Sequence, residues 1–398
     1  MSARMQLLRT RREHEHSRVT YVELFFDLVF VFAVTQLSHN LIAHFSVLGL
    51  VETTLLFMAV WWVWIYTSWV TNWLDPDRTP VRLMLFALML AGLVLSTSIP
   101  KAFDEKGLVF AGAYVFMQVG RCLFMLWALK EHSPGNYRNF QRITSWLVLS
   151  GVFWIAGGLA HGEWRFVLWI TALAIEYVSP SVYFWTPGIG RSTTADWDVE
   201  GAHMAERCGL FIIIALGESI LVTGAKFAEL PWTATTVGAF LAAFVGSLAM
   251  WWIYFNIGAE QASRHIAGSG DAGRVARLAY TYLHLPLVAG IVLAAVGDEL
   301  VLAYPVGHAD TKTAAVLIGA PALYLVGNLM FKRATATSPA LSHMVGLGLL
   351  VLLIPASAVV APLTLSALTT TVLVLVAAWE TVSLHPLHTD ERQGDASP

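Results

Sequence analysis

The chain has 398 residues, of which 57% are hydrophobic and only 13% charged, with a net charge of -3 and a mean hydropathy of +0.63. Soluble domains usually carry about 25% charged residues, so this composition excludes an ordinary globular enzyme. The slightly negative balance argues against nucleic acid as a partner, and two cysteines, Cys122 and Cys208, supply neither a disulfide framework nor a CxxC metal motif.

Apolar runs near 20 residues recur along the whole chain, each long enough to cross a hydrocarbon core of about 30 Å as a helix. The expected fold is an all-α polytopic membrane protein of about twelve transmembrane helices. In chain order the first six fall near 20–42, 48–70, 81–99, 107–129, 143–160 and 164–183. The second six fall near 207–226, 234–256, 276–296, 312–331, 341–360 and 363–383. A basic N-terminal segment (1–19) precedes the first six-helix set (20–185), and a polar linker (186–203) with Asp196, Trp197, Asp198 and Glu200 separates the sets. The second set covers 204–384 and leaves a tail at 385–398. The N-terminus shows no short apolar stretch with a small-residue cleavage site, so no removable signal peptide is expected.

Basic residues orient these helices. Arg4, Arg9, Arg11, Arg12 and Arg18 precede the first helix, and the loops on that side continue with Arg78, Arg82, Lys130, Arg138, Arg142, Arg191, Arg207, Arg264, Arg274, Arg277, Lys332 and Arg333. With Arg392, 18 basic residues face one side and 5 the other: Lys101, Lys106, Arg165, Lys226 and Lys312. Both termini are therefore expected in the cytoplasm.

The two sets also resemble each other in order. Trp64-Ile65-Tyr66 matches Trp252-Ile253-Tyr254, and Arg82-Leu83 matches Arg277-Leu278. Gly112-Ala113 and Val119-Gly120 match Gly319-Ala320 and Val326-Gly327, and Ala174 to Ser179 matches Ala378 to Ser383. Such order predicts two tandem six-helix repeats.

An ionisable group near the bilayer centre costs roughly 2.5–3.5 kcal/mol on insertion scales, which makes each one a candidate functional residue. Glu23 and Asp27, four apart, share one face of the first helix. Glu218 lies deep in the seventh, between Gly217, which would admit a neighbouring backbone, and Ser219, a hydroxyl for an adjacent helix. Arg121 lies in the fourth helix, Glu176 and Glu380 at matching positions in the sixth and twelfth, and His284 in the ninth, just before Pro286. Asp27 and Glu218 are the expected ion- or proton-binding carboxylates. Glu23 and Arg207 would tune them, with Arg121 as counter-charge to the acids of the first set. The competing expectation is that Arg121 pairs with Glu23, Asp27 or Glu176 and only holds helices together.

Weaker signals remain. The tryptophans Trp61, Trp62, Trp64, Trp69 and Trp73 crowd the second helix, mostly as packing. His203 and Glu206, three apart, lack a further metal ligand, so no metal and no cofactor are expected. No nucleophile elbow, phosphate loop or zinc-protease motif occurs, and the loops are too short to house an enzyme's apparatus.

The segment Val22-Glu23-Leu24-Phe25-Phe26-Asp27-Leu28-Val29-Phe30-Val31-Phe32 resembles the opening motif of the bacterial low temperature requirement protein A family. The stretch His203 to Ser219, with Glu206, Arg207, Gly209, Gly217 and Glu218, resembles that family's second motif. Together with the helix count, the resemblance covers nearly the whole chain. It implies a multi-pass protein of the bacterial cytoplasmic membrane, named for growth in the cold, and assigns no role to the motif residues. A potassium-channel family of six-helix units is similar more faintly, through Arg18 and Phe26-Asp27; its serine is here a phenylalanine and its arginine lies closer. The expected activity is movement of a small ion or solute. The alternative is a membrane-stress or assembly protein without flux.

Overall fold

The computed structural model describes residues 7–9, 18–130, 133–193, 200–256, 272–335 and 340–394, the side chains of 272 and 384–394 excepted. Arg4, Arg11, Arg12, Arg264 and the linker residues Asp196, Trp197 and Asp198 lie outside the described residues. Among the described residues the regular structure is helical throughout.

Among the described residues, ten helices are long and apolar enough to cross a membrane. The first five are Tyr21–Ala43, Val47–Trp73, Thr79–Lys101 (its last turn a 3-10 helix), Gly107–Leu129 and Pro134–Leu159. A sixth helix, Glu163–Val178, has 16 residues. The seventh to tenth are Gly201–Ala228, Ala234–Phe255, Gly273–Ala303 and Thr311–Thr335. An eleventh, Leu341–Ala356, is also short at 16 residues, and the twelfth spans Pro362–Ser383 within a longer helix. Ten of the described helices therefore reach full crossing length, because the sixth and eleventh end early. A helix of that size rises about 24 Å at 1.5 Å per residue.

Several boundaries differ from the hydropathy reading for local reasons. The fifth helix starts at Pro134 instead of 143, because a proline at the first turn loses no needed N–H and starts a polar helical turn. The ninth continues past 296 to Ala303, carrying Asp298 and Glu299 with it. Lys332 and Arg333 belong to the last turn of the tenth helix instead of a loop. Asp310 caps that helix: its Oδ1 accepts the Thr313 N–H at 2.9 Å. The Thr313 hydrogen bonds hold this carboxyl below its ordinary pKa.

Contacts divide the chain into two compact units, Met1–Arg207 with Gly270–Arg274, and Cys208–Ser269 with Val275–Pro398. In the first unit the first helix packs on the second and third, the third on the fourth, and the fourth and sixth on the fifth. In the second unit the ninth and tenth helices pair most extensively, the eighth lies on the twelfth, and the eleventh bridges the tenth and twelfth. Outward faces stay apolar. On the third helix Leu83, Phe86, Leu90 and Val94 are all exposed, at spacings of 3, 4 and 4. Such a stripe suits lipid and would be an aggregation surface in water.

Glycine sets the closest helix approach. A Cβ on Gly290 would fall 2.7 Å from the Tyr324 amide nitrogen, and one on Gly327 would fall 2.9 Å from that of Leu287. These backbone contacts cannot swing aside, so Gly290→Ala should cost about 1–3 kcal/mol, the usual range for overpacking. Gly319→Ala, with nothing within 4 Å of the added carbon, should leave stability unchanged or slightly raised. Thermal unfolding in detergent reads both; equal melting temperatures would refute the close approach. Gly217 is different from its expected role: its added Cβ would also meet open space, so it admits no neighbouring backbone.

Two stretches of π-helix interrupt the α-helical pattern, Phe116–Gly120 in the fourth helix and Arg277–Tyr282 in the ninth. Such bulges re-aim the side chains that follow them and often mark functional positions. Arg121 follows the first and His284 the second.

Candidate functional site

The densest buried charge lies in the first unit, where the opening motif meets the start of the second motif. Thr20 caps the first helix, and Glu23, at the third helical position, reaches back: its Oε2 accepts the Thr20 N–H and hydroxyl, both at 2.9 Å. A glutamate at that position ordinarily serves the helix end alone. Here it does more. Its Oε2 also accepts Arg9 Nη2 at 2.9 Å, and its Oε1 accepts His203 Nε2 at 3.0 Å, with Arg207 Nη1 3.6 Å away.

Arg9 reaches the cluster because the chain before the first helix is strapped to the end of the second. Leu8 bridges to Leu74, the Arg9 N–H donates to the Trp73 carbonyl at 2.9 Å, and the Asp75 N–H donates to the Leu7 carbonyl at 2.8 Å. Arg9 Nε then donates to the carbonyls of Thr71 and Leu74.

Asp27, one turn beyond Glu23 and fully buried, accepts Trp64 Nε1 and Arg207 Nη2 through Oδ1, each at 2.8 Å. Arg207 Nη2 also donates to Ser68 Oγ at 3.1 Å, and its guanidinium carbon lies 5.7 Å from the Trp64 ring centroid. The pair is incompletely matched. Asp27 Oδ2, Arg207 Nε and Arg207 Nη1 are buried without a hydrogen-bond partner.

The tautomer of His203 follows from its neighbours. Asn72 Oδ1 accepts the Glu200 N–H at 3.0 Å, so Asn72 Nδ2 is the atom facing His203 Nδ1 at 3.3 Å. An amide donor there makes Nδ1 the acceptor and leaves the proton on Nε2, toward Glu23. His203 is then neutral, and two carboxylates balance two guanidinium groups. Glu206 points elsewhere: it is exposed and accepts the Val19 N–H at 3.1 Å. The expected His203–Glu206 proximity is not used.

A second network in the same unit surrounds Glu176. Its carboxylate accepts the Tyr114 hydroxyl, Gln118 Nε2 at 3.2 Å, Ser150 Oγ at 2.7 Å and Trp154 Nε1 at 2.9 Å. Arg121 is fully buried, yet among the described residues no carboxylate lies within ion-pair distance of it. It donates to Thr67 Oγ1 at 2.9 Å, to the Val63 carbonyl at 3.3 Å and to Gln118 Oε1, and sits 5.6 Å from the Tyr66 ring centroid. Gln118 thus relays between cation and carboxylate. The direct pairing of Arg121 with Glu23, Asp27 or Glu176 does not occur: the Gln118 amide stands between it and Glu176, while Glu23 and Asp27 are paired with Arg9 and Arg207.

The second unit holds the other candidates. Glu380 pairs with Lys332, accepts Ser342 Oγ at 2.9 Å and lies 3.2 Å from His343 Nδ1. His284 Nδ1 donates to the Ala279 carbonyl at 2.8 Å, five residues back, where the π-turn presents it. Its Nε2 therefore accepts the Tyr254 hydroxyl at 2.8 Å. Glu218 is buried at 3% exposure. Ser219 Oγ donates to Asp298 Oδ2 at 3.2 Å and lies 3.3 Å from Ser247 Oγ.

Helices of this length with apolar outward faces define a multi-pass α-helical membrane protein. The chain matches the family described as Bacterial low temperature requirement A protein (LtrA) over residues 18–378, nearly its whole length, and it belongs to that family. It is 42% identical over 379 residues to the uncharacterized protein RA0937 of Rhizobium meliloti (strain 1021), covering 95% of this chain and 92% of that one. No solved structure matches it.

Proposed function

We propose that the protein moves a small ion or solute across the bacterial cytoplasmic membrane, with the Asp27–Arg207 pair as the switching element and no chemical turnover. The observation that carries this reading is the pair's spare capacity. A pair serving only to join helices gains most when every donor and acceptor is matched, as at Glu176. Asp27 Oδ2 and Arg207 Nε instead have no hydrogen-bond partner in the protein, and Arg207 Nη1 has only its 3.6 Å ion-pair contact with Glu23. A proton or cation arriving at Oδ2 would compete with Arg207 for Asp27 and release the guanidinium, a two-state element of the kind transport needs.

The finer architecture proposed with it is twelve crossings in two tandem six-helix repeats, with both termini in the cytoplasm. The ordered sequence matches and the 18-to-5 division of basic residues support it. So does the presence of helical segments at all twelve expected positions, two of them short.

A second reading, helix joining without flux, is favoured at Glu176 and Glu380, whose carboxylate oxygens all have partners; Arg121 is held on its two terminal nitrogens, with Nε alone unmatched. Sealed proteoliposomes with imposed pH or potassium gradients separate the two. Wild type should show flux, and two variants should not: Asp27→Asn/Glu218→Gln, and the charge-balanced Asp27→Asn/Arg207→Gln. Undiminished flux in a folded charge-balanced variant would rule out the Asp27–Arg207 pair as the switch.

A further inference from the structure

Within the second unit the eighth, ninth, tenth and twelfth helices line a partly open cavity of about 40 Å³. Holding a water takes at least about 10–15 Å³ of such space, so the cavity has room for a small ion or a few waters. Its polar lining comes from Ser247, Asp298, Ser366, Thr369 and Thr370, on three of those helices. The tenth contributes Leu317 and Pro321. Proline has no N–H, so the Leu317 carbonyl one turn earlier lacks its usual helical donor.

The chemistry of this lining is one-sided. Thr369 Oγ1 donates its proton to the Ser366 carbonyl at 3.0 Å, and Thr370 Oγ1 donates to the Ala242 carbonyl at 3.2 Å. With those protons committed, both hydroxyls present lone pairs. Asp298 accepts Ser219 Oγ on Oδ2, and among the described residues no basic side chain lies within ion-pair distance of it. The cavity thus offers several oxygen acceptors, one carboxylate and no cationic group. An anion would meet the carboxylate and, beyond the Ser247 and Ser366 hydroxyls, no donor.

We propose that this cavity binds a single monovalent alkali cation, held by the Asp298 carboxylate with Ser247, Ser366 and Thr369 as neutral oxygen ligands. The proposed ligands are all oxygens, and the lining adds one thioether, Met250, but no histidine or cysteine, a set that disfavours copper, zinc and other metals that select nitrogen or thiolate. One carboxylate balances one positive charge, whereas calcium sites usually gather several carboxylates among six to eight oxygens. The site stands apart from the Asp27–Arg207 reading and does not depend on it.

The test measures binding without flux. Full-length protein in detergent is heated while NaCl or KCl replaces N-methyl-D-glucamine chloride at constant ionic strength and pH. Wild type should melt at a temperature that climbs with the logarithm of the alkali ion concentration, as ligand binding to the folded state requires. Asp298→Asn should abolish the climb, and Thr369→Val should displace its midpoint by roughly tenfold, the equivalent of one ligand of modest strength. Should Asp298→Asn fail to fold, Thr369→Val and Ser366→Ala decide, because both keep the carboxylate. A wild type indifferent to sodium and potassium overturns the proposal, including the case in which Asp298 simply holds a proton. An unchanged midpoint in both hydroxyl variants overturns it too.

Discussion

Arg207→Gln is expected to cost about 3–5 kcal/mol of stability, the range for stripping one partner from a buried ion pair. Arg207 is fully buried and is the cation nearest Asp27, while Glu23 keeps Arg9. Removing it leaves two carboxylates against one guanidinium. Asp27→Asn in the same chain restores the balance, so the double variant should recover much of the loss. A coupling of about 0.5–3 kcal/mol is the usual size for residues in one network. Folded yield and melting temperature in detergent measure all four corners of the cycle. Additive losses would show that the two side chains act separately and would remove the basis for treating them as one element.

Arg9 sharpens that expectation, because it is tethered through Leu8 and Leu74 to a separate part of the unit. Glu23 is satisfied on both oxygens whether or not Arg207 is present. The penalty for losing Arg207 therefore falls on Asp27, and Asp27→Asn should relieve it more completely than Glu23→Gln. Comparing those two double variants checks the assignment of which carboxylate Arg207 neutralises.

The sequence made half of this cluster legible. Glu23 and Asp27 stand four apart on one helix, and His203 and Arg207 stand four apart on another, so each pair's shared face follows from local geometry. What joins them is tertiary. Trp64, Ser68 and Asn72 look like ordinary residues of an aromatic-rich apolar helix. Arg9 sits in a segment whose charge reads as a topology signal, and nothing local tells that it folds back onto Trp73. Arg121 misled for a related reason. A buried cation suggests a carboxylate partner, whereas Gln118, three residues earlier on the same helix, supplies the oxygen and passes contact on to Glu176. Asp298 was hidden by a boundary. Ending the ninth helix at 296 turns it into a loop residue, although Leu300, Val301 and Leu302 continue the apolar run behind it. Polar residues near a hydrophobic helix end bias hydropathy reading toward early termination.

Glu176 provides the contrasting case, and its truncation is expected to be among the most damaging changes in the protein. Glu176→Ala would take the shared acceptor from four nearly or fully buried side chains: the Tyr114 hydroxyl and Trp154 Nε1 would be stranded, while Gln118 Nε2 keeps the Tyr114 oxygen and Ser150 Oγ keeps the Leu147 carbonyl. Each stranded buried donor costs about 1–3 kcal/mol, so the pair costs about 2–6 kcal/mol, a large share of the 5–15 kcal/mol stability of a typical domain. Glu176→Ala should therefore give little folded protein. Glu176→Gln keeps one carboxylate-like oxygen but sets an amide N–H₂ against inward-pointing donors, so a partial loss is expected. The decisive readout is flux per folded molecule in Glu176→Gln. A joining network predicts the wild-type value once the folded fraction is counted, because all the hydrogen-bonding capacity at Glu176 is committed to the protein itself. A specific loss of flux at normal folded yield would instead move Glu176, with Gln118 and Arg121 behind it, onto the ion path.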